Sequence, residues 1–232
     1  MKMPRVFHQT WKDHDIPEEF EQMSSSWREK HSGWDYVFWT DEMNRNFIKD
    51  HFSSFLPIYD GYETNIQRVD AVRYFVLYKY GGLYIDMDFA CLANIEPVLG
   101  DVECVFGQEP IEHGMIHNRP FIISNAFMGA TPGSKFFEVL CKELGQCHQF
   151  NGHVNDRVLE TTGPFMLSRL YSAYHRKEDI GVLNSNIIYP LTKEELVEWK
   201  NNPENHIIQQ KLKGAYGIHY YAGTWWKKSN DQ

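Results

Sequence analysis

The 232-residue sequence predicts an α/β fold, in which helices pack on a central sheet. Short apolar strand-like segments alternate with amphipathic helical segments along the whole chain, which is typical of this class. A helix predicted over residues 65–80 stops at two glycines and is followed at once by an apolar strand. No repeat, low-complexity tract or long linker interrupts the chain, so residues 1–232 are predicted to form a single domain.

The first third of the chain begins with a short strand predicted at residues 5–9. Pro17 precedes a helical stretch at 18–30, and an apolar segment at 36–39 predicts a second strand. Thr40 suits the start of the next helix, towards His51, because its hydroxyl can accept a hydrogen bond from an unpaired helical N–H. Pro57 then breaks the helical pattern.

Residues 65–80 form the best-defined helix of the sequence. Apolar side chains recur at helical spacing, at Ile66, Val69, Val72 and Val76. Gly81 and Gly82 end this helix, as glycine commonly does at a helix C-terminus. The segment 83–88 that follows is predicted to be a strand, with successive side chains on opposite faces.

The second half continues the alternation. Strands are predicted at residues 121–124 and 126–128, and a helix at 134–144. Gly163 and Pro164 open another helix, because proline is well suited to the first helical turn. Thr192, with Glu195 three residues later, has the form of a capping box before a helix at 196–200.

Composition narrows the range of functions. Hydrophobic residues make up 42% and charged residues 23%, which predicts an ordered globular protein. The net charge of −8 leaves no basic excess to neutralise a phosphate backbone, so a nucleic-acid partner is not expected. Aromatic residues are abundant at 15%, and aromatic rings are good platforms for sugars and bases, although most of them are expected in the core.

The sequence predicts a cytoplasmic location, with possible peripheral contact at the inner face of a membrane. No apolar run is long enough to span a bilayer, and the N-terminus lacks the apolar core of a signal peptide. The four cysteines have scattered spacings that suggest neither a zinc site nor a disulfide framework, and are expected to be free thiols in a reducing compartment: Cys91, Cys104, Cys141 and Cys147.

Two aspartates follow the glycine stop. On a strand, Asp86 and Asp88 would leave the same face together with Tyr84. Two hard oxygen donors at a strand end suit Mg²⁺ or Mn²⁺ held jointly with a diphosphate. The D-x-D pattern alone is weak, because Asp13 and Asp15 form a second one in a polar segment that looks like a turn.

The preceding helix carries a second charged pair. Asp70 and Arg73 are three residues apart and therefore share a helix face. The ordinary interpretation is a surface ion pair, which contributes less than about 1 kcal/mol. The functional interpretation is that Asp70 accepts hydrogen bonds from sugar hydroxyls while Arg73 approaches their oxygens or a phosphate.

The combined pattern is far more specific. It runs from Arg73 and Tyr74 through Tyr80, two glycines and Tyr84 to the D-x-D pair. It resembles the sugar-binding region of glycosyltransferase family 32, and it is similar to that of the large clostridial glucosylating toxins. The resemblance extends over nearly the whole chain, through an opening motif at residues 8–11, middle motifs at 124–128 and 162–164, and a closing motif at 219–225.

This resemblance implies a GT-A fold, a Rossmann-like sheet that holds a sugar nucleotide at the carboxyl ends of its strands, in line with the general rule for open α/β sheets. Asp70, Arg73, Asp86 and Asp88 would be the catalytic residues, with Asp70 and Arg73 holding the donor sugar. Trp11 would stack on the base, although a core tryptophan is an equal alternative. The donor-binding residues would be His8, Gln9, Trp11, Tyr84, Asn125, Gly163, Thr224 and Trp225.

The resemblance also implies a cation, Mn²⁺ or Mg²⁺, held by Asp86, Asp88 and His219. A neutral imidazole suits Mn²⁺ and could complete the site beside Asp88. The expected reaction moves a hexose to an acceptor hydroxyl with retention of anomeric configuration. No glutamate can be assigned as a covalent nucleophile, so a front-face substitution, in which the leaving phosphate helps to deprotonate the acceptor, is the preferred mechanism.

The donor and acceptor are less sharply predicted. A UDP-sugar is favoured, because the compact, anchor-free chain looks like bacterial capsule and O-antigen enzymes, with a GDP-mannose-dependent mannosyltransferase as the alternative. The acceptor is expected to be a glycan or a lipid-linked saccharide. A non-catalytic carbohydrate-binding domain is the alternative outside the enzymes. A phosphatase of the D-x-D-x-[TV] type is disfavoured, since Ala90 occupies the last position.

Two further features have weaker interpretations. His113 and His117 have a metal-binding spacing, but Gly114 and the flanking prolines favour a loop, one that could border the acceptor cleft. The tail at residues 225–228, two tryptophans and two lysines, could touch an anionic membrane surface, although a tail that closes over bound nucleotide is the preferred interpretation.

Overall fold

The computed structural model describes residues 3–146 and 152–223. Within them the strands are β1 (Val6–Thr10), β2 (Asp35–Trp39), β3 (Gly82–Ile85), β4 (Phe89–Cys91), β5 (Cys104–Gln108), β6 (Ile123–Ala130), β7 (Ile180–Leu183) and β8 (Gly217–His219). The helices are α1 (Glu18–Lys30), α2 (Asp41–His51), α3 (Leu56–Gly61), α4 (Asn65–Tyr80), α5 (Ile111–Ile116), α6 (Lys135–Leu144), α7 (Val154–Thr161), α8 (Pro164–Ala173), α9 (Ser185–Ile188), α10 (Lys193–Asn201) and α11 (His206–Leu212).

Six strands form the central sheet, in the order β2-β1-β3-β6-β5-β7. Strand β1 is parallel to both β2 and β3, and β5 is parallel to β7, whereas β6 runs antiparallel to β3 and β5. Strands β4 and β8 form a separate antiparallel pair. The carboxyl ends of β1 and β3 and the start of β6 therefore meet at one edge of the sheet.

Helices cover both faces of this sheet, as predicted for an α/β fold. Along β3 the side chains alternate between two cores. Tyr84 packs into a large cluster built with α2, α3, α4, α6 and α8. Leu83 and Ile85 pack into a second cluster with Trp27 of α1. Because α4 folds back along β3, its first half lies beside the carboxyl end of that strand.

Several predicted elements are confirmed. Helices α1 and α4 have the predicted bounds, and Thr40 caps α2 by accepting a hydrogen bond from the Met43 N–H at 3.2 Å. Thr192 and Glu195 form the predicted capping box at the start of α10. Pro164 begins α8, as expected for the first helical turn.

The strand predicted at 83–88 is wrong in its second half. Strand β3 ends at Ile85, and residues 87 and 88 form a turn before β4 begins. The Asp86 N–H donates to the carbonyl oxygen of Ala126 at 2.9 Å, and the chain then turns to pair with β8. Asp86 and Asp88 therefore project from a turn, and not from one face of a strand.

Two other predictions differ from the structure. The strands predicted at 121–124 and 126–128 are one continuous strand, β6, buried along its length. The loop predicted around His113 and His117 is wrong, because residues 111–116 form helix α5. Gly114 does not break this helix; a Cβ there would lie 2.7 Å from the carbonyl oxygen of Arg119, so the close packing requires glycine.

Gly82 should tolerate substitution by alanine less well than Gly33, although the two glycines have nearly the same φ. At Gly82 (φ +89°) a Cβ would lie 2.6 Å from the Val6 carbonyl oxygen, whereas at Gly33 (φ +92°) it would meet open space. We expect Gly33→Ala to cost about 1–2 kcal/mol of unfolding free energy and Gly82→Ala about 3 kcal/mol or more, because steric overlap adds to the strain. Urea unfolding measures both; equal losses would contradict this account.

Candidate active site

Three hydrogen bonds, from or to three different segments, hold the backbone of the turn after β3. The Asp86 N–H bonds to β6, and Gln9 Nε2 of β1 donates to the Asp86 carbonyl oxygen at 3.3 Å. The Tyr220 N–H, just past β8, donates to the carbonyl oxygen of Asp88 at 2.8 Å. The two aspartates are thus presented at the sheet edge by a rigid backbone.

Arg73 lies at the centre of a buried charge cluster. Its guanidinium is 3.1 Å from a carboxylate oxygen of Asp70 and 3.1 Å from one of Asp86, and only 2% of the side chain is exposed. It also donates to the carbonyl oxygen of Asn125 at 2.8 Å and stacks over the ring of Tyr84, 4.5 Å from its centroid. This geometry excludes the exposed surface ion pair that the sequence left open.

Asp70 is held at both carboxylate oxygens. Oδ1 accepts a hydrogen bond from Asn125 Nδ2 at 2.9 Å, and Oδ2 accepts one from the Thr162 hydroxyl at 3.1 Å. Burial raises the pKa of Asp70 to about 6, while Arg73 opposes this rise. Thr162 is a site residue that the predictions passed over, although it stands in the same middle motif as Gly163.

The second aspartate of the pair faces His219. Asp88 Oδ1 lies 3.1 Å from His219 Nε2, and Oδ2 accepts a hydrogen bond from the Ala222 N–H at 2.8 Å. This contact follows from the pairing of β4 with β8, which sets Phe89 opposite His219. Burial opposes ionisation of both groups, but the pKa of Asp88 is lowered by His219 and the pKa of His219 is raised by Asp88.

The predicted metal ligands come together in space. Ligand atoms of Asp86, Asp88 and His219 all lie within 4.8 Å of one another. Nδ1 of His219 is buried and has no hydrogen-bond partner among the described residues. Two carboxylates and an imidazole form a donor set that fits Mn²⁺. Mg²⁺, which prefers oxygen ligands more strongly, is the alternative. The residues therefore fit a divalent cation.

The predicted donor-binding residues of β1 have structural contacts. Trp39 Nε1 donates to His8 Nδ1 at 3.2 Å, so His8 Nε2 carries the proton and donates to the Gly81 carbonyl oxygen at 3.0 Å. Burial lowers the pKa of His8 to about 4. Gln9 accepts from the Ser24 hydroxyl at 2.5 Å while it donates to Asp86, so it positions the turn from behind.

Other predicted residues lie around the same edge or outside the described part of the chain. The ring of Trp11 is tilted against Phe20, with centroids 4.8 Å apart, and its buried N–H has no partner among the described residues. The Tyr84 hydroxyl donates to Asp86 Oδ1 at 2.9 Å. Gly163 lets α8 pack closely on α7, since a Cβ would lie 3.0 Å from Leu159 Cα. Thr224 and Trp225, with the rest of the tail, lie outside the described residues.

Comparison with known proteins identifies the family of the chain. Residues 17–105 match the family described as "Glycosyltransferase sugar-binding region containing DXD motif". An uncharacterized glycosyltransferase of Acanthamoeba polyphaga mimivirus is 34% identical over 194 residues, which are 81% of this chain and 73% of that protein. The chain belongs to this DXD glycosyltransferase family. The predicted family resemblance is thereby confirmed.

Yeast proteins are similar over a comparable share of the chain. Inositol phosphoceramide mannosyltransferase 2 of Schizosaccharomyces pombe is 35% identical over 175 residues, 75% of this chain and 48% of that protein. Mannosyl phosphorylinositol ceramide synthase CSH1 of Saccharomyces cerevisiae is 33% identical over 218 residues, 94% of this chain and 49% of that protein. The glycosyltransferase thus spans about half the length of these curated relatives.

Solved structures confirm the predicted GT-A fold. The PaToxG glycosyltransferase superposes with a TM-score of 0.53 at 15% identity, covering 91% of this chain and 79% of that one. A glycosyltransferase involved in glycosylation of the major capsid of PBCV-1 gives a TM-score of 0.53 at 8% identity, covering 98% of both chains. At these identities the likeness establishes the fold alone.

The predicted cytoplasmic location is wrong. The yeast relatives are named for mannosyl transfer to inositol phosphoceramide, and a ceramide is a membrane lipid, not a cytoplasmic solute. The prediction relied on a missing anchor in a chain that spans about half the length of these yeast relatives. Within residues 3–146 and 152–223, no helix has the length and apolar character needed to cross a membrane.

His8 should make stability depend on pH in a defined window. Between its unfolded pKa of 6.5 and its folded pKa of about 4, the unfolded chain binds more protons. The contribution of His8 is therefore complete above pH 6.5 and is lost as the pH falls towards 4, by about 3 kcal/mol. In His8→Gln this part of the decline should disappear from urea unfolding curves. His14 is exposed, so His14→Gln should keep the wild-type dependence of unfolding free energy on pH. The same wild-type dependence in His8→Gln would refute the assignment of this decline to His8.

Thr162 should tune the ionisation of Asp70. Its hydroxyl stabilises the carboxylate, so Thr162→Val should raise the pKa of Asp70 further above about 6. The neighbouring Thr161 hydroxyl bonds to the Arg157 carbonyl oxygen and not to Asp70, which makes Thr161→Val a matched control. Carboxyl-selective NMR titration measures the pKa directly. An unchanged Asp70 titration in Thr162→Val would show that this hydrogen bond has no electrostatic effect.

Proposed function

We propose that this glycosyltransferase moves a mannosyl group from GDP-mannose to a hydroxyl of an inositol-phosphate-bearing ceramide lipid. The observation that carries the proposal is the similarity to yeast enzymes named as inositol phosphoceramide mannosyltransferases, at 34–38% identity over about three quarters of the chain. The alternative donor of the sequence analysis, GDP-mannose, therefore fits better than the favoured UDP-sugar, and a capsule role receives no support.

Asp70 and Arg73 are suited to hold the donor sugar. Asn125 and Thr162 fix the orientation of the Asp70 carboxylate, and Oδ2 accepts one hydrogen bond from the described residues. A carboxylate oxygen has two lone pairs, so Oδ2 retains capacity for a sugar hydroxyl. Arg73 supplies fixed positive charge next to Asp70, which is suited to stabilise the negative charge that develops on the departing phosphate as its bond to the sugar breaks.

Asp86, Asp88 and His219 would hold the divalent cation, the cofactor that the D-x-D sequence predicts. When bound, Mn²⁺ would supply positive charge to the departing diphosphate. Arg73 and Tyr84 restrain Asp86 through Oδ1, and the Ala222 N–H restrains Asp88 through Oδ2. Such restraints keep ligands in place between turnovers, in the way that second-shell contacts orient metal ligands generally.

Retention by front-face substitution remains our preferred stereochemical course. A covalent intermediate needs a carboxylate free to attack the anomeric carbon. Asp70 has both oxygens hydrogen-bonded and is paired with Arg73, and Asp88 has contacts at both oxygens. These contacts favour direct transfer, in which the acceptor proton passes to the leaving phosphate. A glycosyl adduct on any Asp or Glu, found by mass spectrometry of trapped enzyme, would overturn this course.

The D-x-D pair should be essential for turnover of GDP-mannose. We expect Asp88→Asn to lower mannosyl transfer to inositol phosphoceramide by at least about 100-fold, because a ligand of the cation and the partner of His219 are both altered. Asp13→Asn, in the second D-x-D of the chain, is the matched control and should keep wild-type activity. Transfer is measured with isotope-labelled donor, with UDP-sugars in parallel.

This transfer assay, together with a thermal-shift measurement with nucleotide and Mn²⁺, has three outcomes that decide between the candidate functions. Transfer from GDP-mannose that is lost in Asp88→Asn supports the proposal. Transfer from a UDP-sugar alone would restore the donor first favoured by the sequence. A Mn²⁺-dependent thermal shift with nucleotide but no turnover of any donor, on lipid or soluble acceptor, would favour the non-catalytic carbohydrate-binding alternative.

A further inference from the structure

We propose that helix α5 is a membrane-docking element, which seats the enzyme on the bilayer surface that carries its lipid acceptor. The proposal rests on the proposed function, since it takes the acceptor to be embedded in a bilayer. The partner of helix α5 in this proposal is the lipid surface itself and not a protein. Helix α5 is far in sequence from the aromatic and basic tail.

The outer side of α5 is unusually apolar for an exposed surface. Ile111, Met115 and Ile116 are 56%, 70% and 70% exposed, within a helix of only six residues. Single exposed apolar residues are common and need no explanation. Here Ile111 and Met115 lie one helical turn apart and Ile116 follows Met115 directly, a grouping that favours an interaction surface. Such side chains are suited to enter the boundary between lipid headgroups and acyl chains.

The other side of α5 is connected to the candidate active site. His113 Nδ1 lies 2.9 Å from a carboxylate oxygen of Glu109, and its ring meets the ring of Tyr221 at a centroid distance of 5.0 Å. Tyr221 in turn packs edge-on against His219, with centroids 4.4 Å apart. Only two ring contacts therefore separate the predicted metal ligand from the helix that carries the three exposed aliphatic side chains.

The helix is also held firmly in place. The Arg119 N–H donates to the Gly114 carbonyl oxygen at 2.8 Å, which closes the chain behind α5. Arg119 pairs with Glu160 and lies over the ring of Phe165, 4.0 Å from its centroid, and His117 packs edge-on against the same ring at 5.1 Å. A membrane contact made by α5 would thus fix the height of the site above the lipid.

Charge determines which kind of lipid surface fits. The chain carries a net charge of −8, and the exposed Glu112 lies within α5 itself. Attraction to anionic lipids is therefore not the driving force, and docking should depend on burial of the three aliphatic side chains. The expected behaviour is binding to zwitterionic vesicles that does not weaken when salt is raised, the opposite of a polybasic contact.

The test uses the whole chain and vesicles of phosphatidylcholine, with or without inositol phosphoceramide. We expect the triple variant Ile111→Ser, Met115→Ser, Ile116→Ser to partition into vesicles about tenfold less than wild type in a flotation assay. The single variant Met115→Ser should lose part of the binding. Met43 is an exposed methionine of α2, so Met43→Ser is the matched control and should bind as wild type does.

Activity on two acceptors separates this proposal from the proposed function. If both hold, the triple variant loses about tenfold in transfer to vesicle-embedded lipid but keeps wild-type transfer to a soluble inositol phosphate. Wild-type vesicle binding by the triple variant would overturn the docking proposal alone. Self-association of wild type that the triple variant abolishes, without vesicle binding, would also overturn it, in favour of a contact between two copies. No mannosyl transfer to either acceptor would overturn the proposed function while leaving the vesicle result interpretable.

Discussion

The buried charge of Arg73 is the constraint on which the site depends. A guanidinium taken out of water is tolerated only where carboxylates and carbonyl oxygens satisfy its N–H groups. Its partners Asp70, Asp86 and Asn125 come from α4, from the turn after β3 and from β6, so one charge ties three segments together. Losing a carboxylate partner would leave that charge uncompensated, at a cost of about 3–5 kcal/mol. The same contacts preorganise the carboxylates of the proposed donor site.

The small β4–β8 sheet provides the other half of the site. Its register sets His219 beside Phe89, and this brings the imidazole to Asp88 across a sequence separation of 131 residues. The turn between β3 and β4 matters for the same reason, because it points Asp88 towards β8 while Asp86 stays with Arg73. Two aspartates that are neighbours in sequence thus have different partners, and the pKa of Asp86 is raised by burial while that of Asp88 is lowered by His219.

The errors of sequence interpretation have physical causes. The D-x-D segment looked like the end of a strand because its apolar residues alternate, but the chain turns at residues 87 and 88 so that β4 can pair with β8, and β3 ends at Ile85. Residues around Gly114 looked like a loop because glycine disfavours helices, yet here the glycine permits a close backbone contact. Strands β4, β7 and β8 have only three or four residues, too few to show a period.

The sequence by itself determined what depends on local order and residue type. It specified the α/β class, the bounds of α1 and α4, and the glycine stop, and it left the pairs Asp70/Arg73 and Asp86/Asp88 as candidates. His219, and the grouping of all five residues into one site, came from the family resemblance. Only the tertiary structure decided that Asp70 and Arg73 form a buried cluster, that Thr162 completes it, and that His8 and Gln9 support the sheet edge from behind. The reason is that helix spacing and caps are properties of neighbouring residues, whereas burial and charge pairing arise between segments that meet only when the chain is folded.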